Sequence, residues 1–179
     1  MHLRWSQISG MPVIDDQTQE IVAFLRDPLI DADSGRVLGF YVLAGSGILL
    51  LSTADILSIG TKVHIGSREK LSPPEELVRL QSILDDPRSF LGQTIRNRET
   101  GRTLGKCVDL QFDTHHFSIE WLFPRKFLFF RKPIPASEIL EVTVDAIWIK
   151  NPLRPGEERV DEKAKTAAGL LVAPEPLSS

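Results

Sequence analysis

The chain has 179 residues, 42% of them apolar and 25% charged, the composition of a protein that buries a core as one ordinary domain or two very small ones. Lys and Arg total 21 against 24 Asp and Glu, and the resulting charge of -3 excludes duplex nucleic-acid binding through bulk positive charge. A single cysteine, Cys107, excludes an internal disulfide and any cysteine-clustered metal site.

The chain opens Met1-His2-Leu3-Arg4-Trp5, without the apolar stretch of a secretory signal. No later apolar run approaches the roughly 18–20 residues of a membrane helix. A reducing cytoplasm, with no integral membrane segment, is therefore the expected setting. Short β-branched and aromatic runs follow: 21–25, 29–30, 37–43, 48–51 and 63–65. They are bounded by turn residues at Asp33-Ser34-Gly35 and Gly45-Ser46-Gly47, the mark of a small barrel or sandwich. Between the β-rich segments, Ser72 suits an N-cap, Pro73 a first helical position, and Glu75 and Glu76 the positive end of a helix dipole. Leu77, Leu80, Ile83 and Leu84 recur at helical spacing before Asp86-Pro87, so one amphipathic connecting helix is expected over 73–85. From Phe90 the β pattern resumes over 94–95, 104–112, 117–123, 127–130 and 139–149, with a turn expected at Pro124-Arg125. A C-terminal extension over 152–179 completes the chain, with a weak helix over 160–171 and a frayed tail beyond it.

Self-similarity is the strongest signal. Gly92 follows Gly10 by 82 residues, and at that offset Val13 meets Ile95, Thr18 meets Thr100, Asp27 meets Asp109 and Asp31 meets Asp113. Farther along, Asp55-Ile56-Leu57 matches Glu138-Ile139-Leu140 one residue later, and Val63/Ile65 match Ile147/Ile149 one later again.

On these residues the chain resembles the PRC-barrel family, the small β-barrel named from the H subunit of the photosynthetic reaction centre. The first copy of the pattern reads Gly10-Met11-Pro12-Val13, then the apolar run 21–31, Ser34-Gly35-Arg36-Val37-Leu38-Gly39-Phe40 and Asp55-Ile56. The second reads Gly92-Gln93-Thr94-Ile95, Thr100-Gly101-Arg102-Thr103-Leu104-Gly105-Lys106 and Glu138-Ile139. The resemblance implies a mainly β protein of two tandem small barrels joined by one helix: a first unit over 1–70, a connector over 71–89 and a second unit over 90–151. The second copy departs at His115-His116-Phe117-Ser118, where a reshaped hairpin is expected.

Residue types that carry chemistry are sparse. Asp31-Ala32-Asp33-Ser34-Gly35 imitates a calcium loop, but its Gly is one place early and position twelve is Val42 instead of Glu, so a hairpin turn is the better reading. His115 and His116 are adjacent, and strand neighbours face apart, so they read as surface or acid-paired side chains and not as one metal site. His64 alternates with Val63 and Ile65 and is expected to face outward, while Cys107 is expected to be a buried, inert thiol. No nucleophile elbow, phosphate loop or dinucleotide fingerprint is present, so neither catalysis, a cofactor nor a metal is expected.

The unusual stretch is 121–132, which combines Trp121, Phe123, Phe127 and Phe129 with Arg125, Lys126, Arg131 and Lys132 and contains no acid. As a hairpin it either has both faces covered, by the barrel and by the helix or other half, or leaves an aromatic-basic face open. An open face of this kind suits a protein interface; single-stranded RNA and an anionic membrane are the other fits. PRC barrels serve as docking modules. The resemblance therefore implies a non-catalytic adaptor that binds another protein or its own copy through these residues. The alternative it implies is a ribosome-assembly factor resembling the ribosome maturation factor, bound to RNA or the ribosome.

Overall fold

The computed structural model describes residues 1–45 and 47–150. The C-terminal extension and its expected helix, like Ser46 of the second turn, lie outside the described residues. The fold is mainly β, with curled sheets that form half-barrels. In chain order the elements begin with β1 (His2–Arg4), α1 (Trp5–Ile8), β2 (Pro12–Asp15), β3 (Ile21–Ile30), β4 (Val37–Ala44) and β5 (Gly47–Ser52). They continue with β6 (Ile56–Ile59), β7 (Val63–Ile65), β8 (Leu71–Ser72), α2 (Gln81–Leu84), β9 (Thr94–Asn97) and β10 (Thr103–Asp113). The last are β11 (Ser118–Lys126), β12 (Phe129–Phe130), β13 (Ile134–Pro135), β14 (Ile139–Val142) and β15 (Ala146–Ile149).

One sheet runs β6-β7-β2-β3-β4-β5-β8; the other runs β12-β11-β10-β9-β15-β14, with β1 added to β10 and β13 to β11. The ladders of β2, β3 and β4 correspond pair for pair to those of β9, β10 and β11. Leu25↔Val42, Asp27↔Tyr41 and Pro28↔Phe40 recur 82 residues later as Cys107↔Pro124, Asp109↔Phe123 and Leu110↔Leu122. Both ladders bulge at the same two places, between Leu25 and Asp27 and again between Leu29 and Ile30 in β3, and at the residues 82 later in β10. A bulge bends a strand and strengthens its twist, which is how a long strand such as β3 or β10 curls its sheet. Each sheet also holds one parallel pair, β2 with β7 and β9 with β15.

The correspondence reaches the loops. Gly10 and Gly92 share φ +79°, a left-handed conformation that costs glycine little, and donate to Leu25 O and Cys107 O respectively. Asp15 Oδ1 accepts from the N–H of Gln17 and Thr18, and Asn97 Oδ1 does the same for Glu99 and Thr100. These are Asx turns, each releasing the chain from one strand into the next.

One continuous cluster of buried side chains joins the sheets. At its centre Trp5 stacks on Phe40 (ring centroids 5.9 Å apart), Phe40 meets Phe112 (6.0 Å) and Phe112 stacks on Phe117 (6.3 Å). The chain start is pinned into the second sheet by Asp109. Its buried carboxylate accepts from Ser6 N (3.0 Å) and Ser6 Oγ (2.6 Å) and pairs with Arg4 (3.0 Å).

Three sequence expectations need correction. Residues 73–85 do not form one helix: 3-10 turns at Pro74–Glu76 and Val78–Leu80 precede the single turn α2, because Leu77 takes φ -91°, ψ 65°, outside the helical region. Leu77, Leu80 and Leu84 are only half-buried, so the apolar spacing covers a shallow surface without enforcing a continuous helix. The turn expected at Pro124-Arg125 is instead strand: β11 runs on to Lys126, Pro124 sits opposite Cys107 beside the bulge, and the reversal comes at Phe127 and Leu128. The His115-His116 turn is not reshaped; Phe112↔Ile119 keeps the register of Ile30↔Val37, and Phe117 takes the left-handed place that Gly35 holds in the first sheet.

Candidate functional site

The expected patch lies on the β11–β12 hairpin, and the structure divides it. Trp121 and Phe123 belong to the body of the sheet. Trp121 sits opposite Gln111 and Pro135 and is 39% exposed. Phe123 is half-buried under the Arg4 guanidinium, which lies 3.8 Å from the ring centroid. The tip is different. Phe127 is 86% exposed, Leu128 89%, Phe129 73% and Phe130 68%. Arg125, Arg131 and Lys132 are exposed and Lys126 is half-buried, its Nζ reaching Thr103 O at 3.5 Å. Arg125 faces Phe130 and Lys126 faces Phe129 across the two-residue loop, so the cations stand directly behind the apolar tip. β12 forms the end of its sheet, paired to β11 alone.

Leu128 and Phe130 lie within the expected 121–132 stretch but are not among the residues singled out from it. Alternation along a strand hides every second side chain, but Phe127 and Leu128 form the loop and Phe129 and Phe130 a two-residue edge strand, so the alternation does not operate. The signal was present as four consecutive large apolar residues with cations on both sides.

The other candidates separate cleanly. Asp31 organises a hairpin turn, its Oδ1 accepting from Asp33 N and its carbonyl from Gly35 N. His64 is half-exposed and pairs with Asp16 at 2.7 Å. His115 and His116 occupy a turn, their ring centroids 4.6 Å apart, and His116 Nδ1 pairs with Asp113 at 3.0 Å. Backbone N–H donation from His116 is the main reason the Asp113 carboxyl is held well below its ordinary range. Among the described residues, no group of three or more His, Cys, Asp and Glu is placed to hold a metal ion. Cys107 is fully buried, and burial pushes its thiol up to about 12, which keeps it protonated and unreactive.

Two clefts of about 280 and 310 Å³ flank Arg88, where the connector meets both sheets. The guanidinium is held by Asp33 (2.6 Å) and Asp86 (2.7 Å), so its charge is neutralised within the protein and it acts as a strut. No helix among the described residues is long and apolar enough to cross a membrane. No protein-family model matches the chain, and no curated protein does so.

Proposed function

We propose that this chain is a non-catalytic docking module, built from two PRC-barrel-like copies of one β unit and presenting the 125–132 hairpin as its contact element. The two-copy reading is supported by the shared registers and bulges at an offset of 82 residues. The docking reading is carried by one observation: four consecutive large apolar side chains project into solvent at the end of the β11–β12 hairpin. Folded proteins rarely leave such a contiguous patch uncovered unless something binds it. The candidate polar groups are already spent on structure, Arg88 on Asp33 and Asp86, Asp109 on Arg4 and Ser6. The buried thiol of Cys107 suits a reducing cytoplasm.

The test is affinity capture and sedimentation of the full chain beside a Phe127→Ser/Leu128→Ser variant. The variant is expected to fold normally, because both side chains make little contact with the core, and to lose whatever the wild type retains. An unchanged set of associations in the variant would remove the hairpin from the function.

A further inference from the structure

The hairpin tip carries an extra feature at Phe127, which sits at φ +55°. In the first sheet the residue 82 places earlier is Gly45, at φ +59°. The same backbone reversal is thus made by the residue that accepts it freely in one hairpin and by a phenylalanine in the other. A side chain at a left-handed position is disfavoured, and packing does not repay it here, because Phe127 is almost fully exposed. Strain kept without a folding benefit points to a task outside the fold.

A second substitution accompanies it. In the first sheet the cross-strand neighbours Phe24, Leu43 and Ile48 form an exposed apolar row. The residues 82 later are Lys106, Arg125 and Phe130, in the same register. The second hairpin has exchanged the apolar base of that row for cations while gathering Phe127, Leu128 and Phe129 at its end. Residues 121–137 hold four cations and no acid in a chain of net charge -3. Among the described residues, no carboxylate lies within ion-pair distance of Lys106, Arg125, Lys126, Arg131 or Lys132.

Accepting the hairpin as the docking element, we propose that its occupant is an anionic lipid surface. Phe127, Leu128, Phe129 and Phe130 enter the apolar edge of the bilayer, while Arg125, Lys126, Arg131 and Lys132 hold the headgroups. Dimensions agree. Strands rise about 3.3 Å per residue, so the register partners of Phe129 and Phe130 stand roughly 3–7 Å behind the loop, within the 5–10 Å to which interfacial segments sink. Long cationic side chains lie along apolar surface and keep their charged ends at headgroup level.

Other occupants fit less well. Protein interfaces favour Phe and Arg but are depleted in Lys, and two of the four cations here are Lys126 and Lys132. A two-fold contact between tips of two copies would set two uncompensated cationic clusters against each other. Single-stranded RNA needs flat rings along a groove that tracks its backbone, whereas Leu128 is the most exposed residue of a convex end.

The experiment is flotation of the full chain with vesicles of phosphatidylcholine alone and of phosphatidylcholine mixed with phosphatidylglycerol. Wild type is expected to partition about tenfold or more in favour of the anionic vesicles, an advantage that raised salt screens. Phe127→Ser/Leu128→Ser is expected to abolish binding, and Arg131→Glu/Lys132→Glu to remove the anionic preference. A Phe127→Trp variant is expected to shift its emission to the blue only with anionic vesicles. Failure to float, with tip-dependent capture of a protein, self-association or polyuridylate binding retained, overturns the lipid assignment and leaves the docking hairpin standing. Failure to float with no tip-dependent association of any kind overturns both.

Discussion

Gly35 and Phe117, 82 residues apart, hold the same left-handed backbone position in their turns and are bonded to each other's neighbours. Ile119 N donates to Gly35 O (3.0 Å) and Val37 N donates to Phe117 O (2.7 Å). Val37 and Ile119 are themselves separated by 82 residues, so the exchange is reciprocal, the pattern an approximate two-fold axis produces. Phe117 adds what Gly35 cannot: its ring extends the Trp5–Phe40–Phe112 row by one more member. At this turn a left-handed phenylalanine is repaid by packing, which is what Phe127 lacks.

The aromatic row makes the sheets cooperate. Phe40 belongs to β4 and Phe112 to β10, both fully buried. Removing the Phe40 ring leaves a cavity at the junction and strips Trp5 and Phe112 of a neighbour. Phe40→Ala is expected to cost about 3–5 kcal/mol and to lower the urea midpoint of a single transition seen alike by fluorescence and circular dichroism. Two separated transitions, with the second sheet unaffected, would show that the halves do not share a core.

Acid should loosen the fold in a defined way. Backbone N–H donation, from His116 and from Arg68 respectively, is the chief reason Asp113 and Asp15 are held below their ordinary range; for Asp33 and Asp86 it is the hydrogen bond from the Arg88 side chain. With the folded-state value depressed, the unfolded chain binds the proton first as pH falls. The stabilisation is therefore complete above the unfolded carboxylate value of about 4 and disappears as pH drops through the folded one. Asp113→Asn is expected to lower the Tm near neutral pH and to converge with wild type in strong acid. A constant Tm difference across the whole pH range would contradict this origin.

Cys107 offers a direct probe of opening. Its thiol is buried and raised to about 12, so at neutral pH the folded protein presents almost no thiolate. A thiol reagent is expected to modify it only after unfolding, at a rate that increases with denaturant. Rapid stoichiometric labelling of the native protein would mean that β10 is exposed far more often than its pairing on both sides allows.

Much of this architecture was legible because its punctuation is chemical. Gly10 and Gly92 share one conformation, Asp27 and Asp109 hold the same ladder place, and Asp31 and Asp113 each accept a turn N–H, from Asp33 and His116 respectively. The connector was less legible because the spacing of Leu77, Leu80 and Leu84 reports which residues share a face and not whether the backbone between them stays helical. Pro73-Pro74 also removes two donors at its start. The docking of β1 onto β10 was hidden too: three residues carry no periodicity, and their anchor, Asp109, is over a hundred residues away. At the hairpin the sequence reading placed the reversal at Pro124-Arg125, where a proline normally signals a turn. The true reversal uses Phe127, a residue no turn preference would select.

That mismatch yields the sharpest prediction. Phe127→Gly restores at the second hairpin the residue type that makes the same reversal at Gly45. Relief of the left-handed strain, about 1–2 kcal/mol, is opposed by the roughly 0.5–1 kcal/mol of extra freedom glycine gives the unfolded chain. Stability is therefore expected to stay level or rise by up to about 1.5 kcal/mol, read from the urea midpoint, while vesicle binding falls. Opposite responses from one substitution separate a residue kept for docking from one kept for folding. If Phe127→Gly instead destabilised the protein by as much as a core truncation such as Phe40→Ala, the ring would be serving the fold, and the argument from its exposed, strained position would fail.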